Sequence, residues 1–317
     1  MWAGIFPGQG SQQIGMGQFL FDNFKVAKNL FEEASDAISL DFKKLCFDST
    51  EADLALTHNT QPSLLLVSTC YHKVLSEVAG IDFNFTAGHS VGEYASLVMA
   101  GSISFSDGIK SVRKRGALMQ EAVPVGEGGM LAVLGLTPEQ TTKMNNWAME
   151  KSGASPIESA NFNSPGQIVV SGNKKALDWL AANITKDIFA EPPKRLKLIP
   201  LKVSAPFHCS MMKPAEAKMD TFFNDIKFND AKVPVVQNCT ANAVTAATDL
   251  RKNITEQISS SVRWVESIEW MKSQGVNNFI ELGWGKVLAG LNKKIDPEIK
   301  TININSLDDL KQMESHA

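Results

Sequence analysis

Short apolar runs alternate with longer segments of helical spacing along most of the chain. The first run, 2–6, is followed by predicted helices over 23–39 and 62–79 and by a β-prone stretch at 83–87. A helix is predicted over 106–123, because apolar and small residues recur there on one helical face. Strands that alternate with helices are typical of an α/β protein.

The pattern changes after residue 123. Between 124 and 202 the predicted order is strand, helix, strand, strand, helix, strand. This βαββαβ order is typical of the split-βαβ, ferredoxin-like unit. We therefore predict a discontinuous large domain, formed by 1–123 and 203–317, which carries a ferredoxin-like small domain at 124–202.

The last part of the chain returns to the large domain. Its pattern predicts helices over 213–223 and 262–273, a strand at 233–238 and a strand at 278–282, which is the last clear core strand in the pattern. Residues 308–317 are polar and are predicted to be a fraying tail.

A candidate nucleophile lies in residues 88–93, which read GHSVGE. With a strand before it and a helix after it, G-x-S-x-G is the pattern of a nucleophile elbow. The two glycines leave room for a strained backbone at Ser90, whose Oγ would stand at a helix N-terminus that favours a developing oxyanion. On this short motif alone, a glycine-rich turn with an incidental serine explains the pattern equally well.

A serine nucleophile needs a base within hydrogen-bond reach, and His208 is the best candidate. It lies between a predicted strand and a predicted helix, and it follows Ser90 in the order found in α/β-hydrolases. The large domain is therefore predicted to be α/β-hydrolase-like. No acidic residue stands in a strand-end loop between the two, so a backbone carbonyl is an alternative partner for the histidine. Taken alone, His208 is more often explained as a structural histidine.

Several short motifs in one order along the chain resemble the malonyl-CoA:acyl-carrier-protein transacylases of fatty-acid synthesis. The resemblance runs from residue 6 to about residue 291 and is far more specific than the elbow alone. The motifs are PGQGSQ at 7–12, GHSVGE at 88–93, RGALMQ at 115–120, NFNSPGQ at 161–167, FH at 207–208 and GKVL at 285–288.

The resemblance implies a role for each matching residue. Ser90 would be the nucleophile and His208 its base. The backbone N–H groups of Gln9 and Val91 would form the oxyanion hole, and Arg115 would pair with the malonyl carboxylate. The implied reaction is ping-pong transfer from malonyl-CoA to the phosphopantetheine thiol of acyl carrier protein, with no metal and no other cofactor.

Further residues follow from the same resemblance with less direct support. Asn161, Asn163 and Phe207 would line the substrate cleft, and a backbone carbonyl near Arg263 would orient the histidine. Two positions depart from the family pattern. Residue 263 is arginine where a glutamine is expected, and Trp284 replaces the proline of a Gly-Pro-Gly turn, which leaves the geometry of that loop open.

Composition and charge limit the classes of protein and the kinds of partner that fit this chain. With 317 residues and 44% hydrophobic composition, the chain can form a large core with a small second one, and its net charge of −3 gives no reason to expect nucleic acid as a partner. No window approaches the ~18–20 apolar residues of a membrane span. The four cysteines lack metal-site spacing, and the N-terminus lacks the features of a signal peptide. We expect a cytoplasmic protein, without membrane contact, that functions as a monomer.

Two rival classes of function stay open at this stage. A serine thioesterase or other hydrolase would use water as the second acceptor and would need no cation near the acyl group. A non-catalytic module that binds acyl carrier protein would not require both Ser90 and His208. Arg115 argues against the hydrolase, because an uncharged acyl chain gives no reason to place a guanidinium beside its pocket.

Overall fold

The computed structural model describes residues 1–203 and 205–313. Its strands are β1 (Trp2–Phe6), β2 (Phe85–Gly88), β3 (Gly128–Leu134), β4 (Ile157–Ser164), β5 (Gln167–Asn173), β6 (Lys197–Pro200), β7 (Val235–Val236), β8 (Ala243–Val244), β9 (Asn278–Glu281) and β10 (Lys300–Asn303). They form a six-stranded sheet in the order β10-β9-β1-β2-β7-β8 and a four-stranded sheet in the order β4-β5-β3-β6.

Helices occupy most of the chain between these strands. The α-helices are α1 (Gln18–Asn23), α2 (Lys25–Ile38), α3 (Glu51–Ala55), α4 (Thr57–Ala79), α5 (Gly92–Met99), α6 (Phe105–Glu121), α7 (Pro138–Ser152), α8 (Lys174–Asn183), α9 (Lys213–Phe222), α10 (Ala247–Glu256), α11 (Trp264–Ser273), α12 (Val287–Ile295) and α13 (Leu307–Met313). Shorter helical turns are Lys44–Asp48, Lys186–Ile188, Ser210–Met212 and Phe223–Asp225. No helix among the described residues is long and apolar enough to cross a membrane.

The six-stranded sheet is parallel apart from β8 and is covered on both faces. Neighbouring residues of a strand point to opposite sides. Ile5 and Phe279 accordingly pack with Trp264 of α11 on one face. Phe6 and Ile280, the next residues along, belong to the larger cluster formed with α2, α4, α5 and α6. Because apolar side chains cover both faces of this sheet, a functional site is expected beyond the carboxyl ends of its parallel strands.

The four-stranded sheet has the predicted βαββαβ element order and is antiparallel throughout. Its strand order is that of a split-βαβ unit, with β5 between the two strands that α7 connects. Thr137 caps α7 in a reciprocal pair with Gln140, and Pro138 occupies the first turn, where its missing N–H is not needed. All four strands lie within 124–202, and the division into domains at those bounds stays a prediction.

The sequence interpretation is wrong at the C-terminal end. The strand at 278–282 is not the last one, because β10 pairs with β9 and forms the edge of the sheet. Part of the segment that was expected to fray forms the helix α13 instead. Leu310 and Met313 of this helix are buried, and the helix packs against α4. Leu310 and Met313 lie one helical turn apart, a spacing that the surrounding polar residues obscured. The end of that tail, 314–317, lies outside the described residues.

Candidate active site

Ser90 stands in a sharp turn between β2 and α5. Its backbone φ is +53°, in the left-handed region that residues other than glycine rarely adopt. The turn is also crowded: a Cβ on Gly88 would lie 2.0 Å from Gly92 C, and one on Gly92 would lie 2.2 Å from Phe6 O. The two glycines are therefore required by close backbone contact, and the strained turn carries Ser90 out of the regular geometry of strand and helix.

His208 is hydrogen-bonded to the serine. Its Nε2 lies 2.7 Å from Ser90 Oγ, and its Nδ1 lies 2.9 Å from Gln257 O and 3.1 Å from Ser260 O. Because carbonyl oxygens only accept hydrogen bonds, Nδ1 carries the proton in the neutral ring, and Nε2 is the lone-pair side that faces the serine hydroxyl. This is the tautomer that a general base requires.

The prediction that Arg263 supplies the orienting carbonyl is wrong. Arg263 caps α11, and its carbonyl accepts hydrogen bonds from Ser267 N at 2.9 Å and Ser267 Oγ at 2.8 Å. These two donors use both lone pairs of the Arg263 carbonyl, and His208 Nδ1 is directed instead at the carbonyls of Gln257 and Ser260. A glutamine does provide the carbonyl, but it is Gln257, earlier in the chain.

Arg115 reaches the serine from α6, and its side chain is almost completely buried. Its Nη2 donates to Ser90 Oγ at 3.2 Å and to Gln257 Oε1 at 2.9 Å, and its guanidinium lies over the Tyr94 ring, 5.6 Å from the centroid. No carboxylate among the described residues forms an ion pair with it. A buried guanidinium that forms no direct ion pair is suited to bind the carboxylate of a ligand.

These groups open onto a pocket of about 110 Å³ beyond the carboxyl ends of β1 and β2 in the six-stranded sheet. The predicted site residues that line it are Gln9, Ser90, Val91, Arg115, Asn161, Phe207 and His208. Met119 and Met130 supply further apolar wall. Asn163 is not one of the lining residues; its Oδ1 lies 2.7 Å from Nε2 of His89, so this amide holds the elbow histidine. The small volume of the pocket favours a short acyl group.

The electrostatics of the pocket favour a neutral base. Burial lowers the pKa of His208 to about 3, and the positive charge of Arg115 adds to the effect. Burial also lowers the pKa of His89. His208 is therefore unprotonated near neutral pH and able to accept the serine proton. The neighbouring Arg115 in turn favours the negative charge that develops on Ser90 Oγ.

Sequence reasoning missed the polar groups that hold the elbow. Asn238 Oδ1 accepts from Ser90 N at 2.7 Å, and its Nδ2 donates to Gly88 O at 2.7 Å. Gln257 Nε2 donates to Ser90 O at 2.9 Å. Asn238 closes the predicted strand at 233–238, so the rule that sites lie at strand ends could have selected it. Gln257 has no comparable signal.

The loop with Trp284 lies against the loop that carries Gln9. Trp284 Nε1 donates to Gln13 Oε1 at 3.0 Å, and a Cβ on Gly283 would lie 2.5 Å from Pro7 Cγ. The tryptophan that replaces the expected proline thus ties two loops together. No group of three or more metal-ligating side chains occurs in the ranges that the structure describes.

An α/β fold with a serine elbow, a neutral histidine and a buried cation defines the class of enzymes that transfer acyl groups through a serine. Comparison with known proteins gives the family. The model described as acyl transferase domain matches residues 4–294, and the chain belongs to the acyl transferase family.

Two similar relatives within this family share one name. The malonyl CoA-acyl carrier protein transacylase of Bacillus subtilis (strain 168) is 43% identical over 301 residues, which cover 95% of this chain and 92% of that protein. That of Staphylococcus aureus (strain COL) is 42% identical over 307 residues, 97% of this chain and 96% of its own length. The resemblance seen in the motifs is confirmed over almost the whole chain.

Solved structures agree with these relatives. The crystal structure of malonyl CoA-acyl carrier protein transacylase from Clostridium perfringens matches with a TM-score of 0.91 and 38% identity, over 99% of this chain and 96% of that chain. A malonyl-transacylase in complex with its type II PKS acyl-carrier protein matches with a TM-score of 0.92 and 37% identity, over 100% of this chain and 99% of that one. The α/β fold with a small ferredoxin-like unit is therefore the fold of this family.

Proposed function

We propose that this enzyme transfers a malonyl group from malonyl-CoA to the phosphopantetheine thiol of acyl carrier protein through a malonyl ester on Ser90. The observation that carries the proposal is the 3.2 Å distance between Arg115 Nη2 and Ser90 Oγ. In a malonyl thioester one methylene separates the carboxylate from the attacked carbonyl, so the cation must lie beside the nucleophile. The names of the relatives and the carrier-protein complex support the same substrate pair.

In the first half-reaction His208 Nε2 takes the proton of Ser90, and Oγ attacks the thioester carbonyl. The tetrahedral oxyanion is bound by the backbone N–H groups of Gln9 and Val91, a contribution of ~3–4 kcal/mol per donor in a comparable enzyme. The C–S bond then breaks, and the protonated His208 gives its proton to the leaving thiolate of coenzyme A. Arg115 holds the malonyl carboxylate throughout.

The second half-reaction reverses these steps with a new thiol. The phosphopantetheine thiol gives its proton to His208, and its sulfur attacks the ester carbonyl on Ser90. Collapse of the second oxyanion breaks the C–O bond, and Ser90 recovers its proton from His208. Protons and leaving groups balance within the chain and its two substrates, so the proposal includes no cofactor.

Two further points belong to this proposal. We propose the cytoplasm as the location, which the four free cysteines support because disulfides are rare there. A monomer stays our prediction of the oligomeric state.

Intact-mass measurement tests the nucleophile, the acyl group and the reaction class together. After mixing with malonyl-CoA, the wild-type chain should gain one malonyl group, and Ser90→Ala should gain none. Holo acyl carrier protein should then remove the group faster than water does. Peptide mapping that places the adduct on Cys239 would refute the assigned nucleophile, and loss to water as fast as to carrier protein would identify a hydrolase.

A further inference from the structure

The described reaction leaves one buried carboxylate near the site without a role. Glu93 lies in the first turn of α5, and its side chain is fully buried. Its Oε2 accepts from Asn238 N at 2.8 Å and from Gln257 Nε2 at 3.0 Å, and its Oε1 accepts from Gln237 Nε2 at 3.3 Å. A carboxylate in the interior is costly, so three donors directed at it indicate a specific arrangement.

Gln257 connects this carboxylate to the three reacting groups. Its Nε2 donates to both Glu93 Oε2 and Ser90 O, while its Oε1 accepts from Arg115 Nη2. Its backbone carbonyl accepts from His208 Nδ1. One residue thus contacts the nucleophile, the base and the cation.

The partners of the Gln257 amide set its direction, and Glu93 is the charged acceptor among them. An ionised carboxylate only accepts hydrogen bonds, and a guanidinium only donates them. With Glu93 at one end and Arg115 at the other, the amide has a single favourable orientation, NH₂ towards the carboxylate and oxygen towards the cation. In the reverse orientation, two donors would face each other at Arg115.

We propose that Glu93 is the positioning residue of the site, which fixes the Gln257 amide and through it directs the Arg115 guanidinium at the acyl carboxylate. The inference deepens the proposed function and rests on it. Its effect is specific to substrates with a carboxylate, since an acyl group without one makes no use of the direction of Arg115. A purely structural Glu93 would affect charged and uncharged acyl groups alike.

The test compares Glu93→Gln with the matched variant Glu281→Gln. Glu281 is equally buried and also accepts hydrogen bonds from three donors, Leu288 N, Ala289 N and Asn303 Nδ2, none of which touches the site. Single-turnover acylation of Ser90 is measured with malonyl-CoA and with acetyl-CoA at about pH 8, where a pKa of about 7, raised by burial, leaves Glu93 ionised.

Glu93→Gln should lower the malonyl rate at least about tenfold more than the acetyl rate. Glu281→Gln should leave the ratio of the two rates at the wild-type value, and thermal unfolding shows whether the two variants lose similar stability. An unchanged ratio in folded Glu93→Gln overturns the inference. Wild-type malonylation in the same assay tests the proposed function separately.

A second variant covers the case in which Glu93→Gln does not fold. Glu93→Asp keeps the charge but retracts the carboxylate from Gln257 Nε2, so the ratio of malonyl to acetyl rates should fall by a smaller factor. A ratio equal to that of the wild type in Glu93→Asp overturns the inference as well.

Discussion

Arg115 is costly to the stability of the fold, because its charge is buried, but the proposed reaction needs that charge beside Ser90. Burial lowers the pKa of its guanidinium, which shows that the surroundings disfavour the positive charge. The charge of the nearby Glu93, the neutral acceptor Gln257 Oε1 and the Tyr94 ring offset only part of that cost. A ligand carboxylate restores a full ionic partner, so binding energy is concentrated next to the nucleophile.

Arg115→Ala should lower the rate of malonyl transfer at least ~100-fold, on the scale of breaking a buried charge pair, and should affect acetyl transfer much less. Arg115→Lys should recover only part of the loss, because lysine retains the charge but not the planar fork. Steady-state kinetics with malonyl-CoA and acetyl-CoA measure both effects.

The matched control is Arg113→Ala on the same helix. Arg113 faces away from the pocket and donates to His58 O at 2.7 Å and to Asn59 Oδ1 at 2.6 Å. Its loss should not change the preference between the two substrates. Equal losses on both substrates in Arg115→Ala would instead assign Arg115 to the stability of the fold.

His208→Ala should slow acylation by ~10²–10⁴-fold, the usual contribution of a general base. Because the pKa of His208 is lowered to about 3, its ring should stay neutral as the pH falls from about 8 to 5. Nitrogen chemical shifts of labelled imidazole, assigned with the His208→Ala variant, check this directly. A titration of His208 centred near pH 6.5 would contradict the burial and the charge effect described above.

At the scale of elements, the junction of β2 and α5 depends on how closely three backbone segments approach. Gly92→Ala should destabilise the protein by more than ~2 kcal/mol, because the new Cβ meets Phe6 O, a backbone atom that cannot move aside. Gly290→Ala is the control, since α12 has open space around that residue and alanine favours a helix by ~1 kcal/mol. Chemical denaturation of both variants measures the difference; similar stabilities would argue against the tight packing of the elbow.

Local patterns explain which elements were predictable. The small sheet and its two helices follow one another with clear periodicity and caps such as Thr137, so the sequence predicts them with small errors at their ends. The predicted strand at 233–238 is only Val235–Val236 in the structure, because pairing with β2 stops where Gln237 and Asn238 turn to other partners. Such endings depend on contacts distant in sequence.

The same distinction applies to the site. Ser90, His208 and Arg115 act through their side chains, so their residue types mark them in the sequence. The carbonyl of Gln257 belongs to the backbone, which any residue provides, and its position depends on how the chain after α10 folds back to the pocket. Motifs therefore predict reacting side chains and leave their backbone supports unspecified.

At the scale of the whole molecule, one buried histidine and three partly buried ones connect stability to pH. Burial is the main cause of a lowered pKa at His58, His72, His89 and His208. The unfolded chain therefore binds more protons at these sites, and they favour unfolding as the pH falls through about 6.5. Glu93 acts in the opposite direction, since its pKa is raised to about 7.

Because the histidines outnumber the buried carboxylates with raised pKa values, the midpoint of thermal unfolding should fall between about pH 7 and pH 5. His72, whose pKa is lowered to about 4, lies on α4 and serves as the test residue. His72→Gln should reduce the slope of the midpoint against pH while leaving acylation unchanged. A slope that is unaltered in this variant would show that burial of His72 does not contribute.

The catalytic residues lie on both sides of the connection between α6 and β3 along the chain. Val125, in that connection, is 84% exposed. The segment before it holds Ser90 and Arg115 with β1 and β2, and the segment after it holds His208 and the other four strands of the main sheet. A chain cut at this point would yield two polypeptides, one with Ser90 and one with His208. On mixing, β1 and β2 of the first would have to insert between β9 and β7 of the second to form the sheet. Malonylation of Ser90 would then serve as a covalent reporter that the two halves have met.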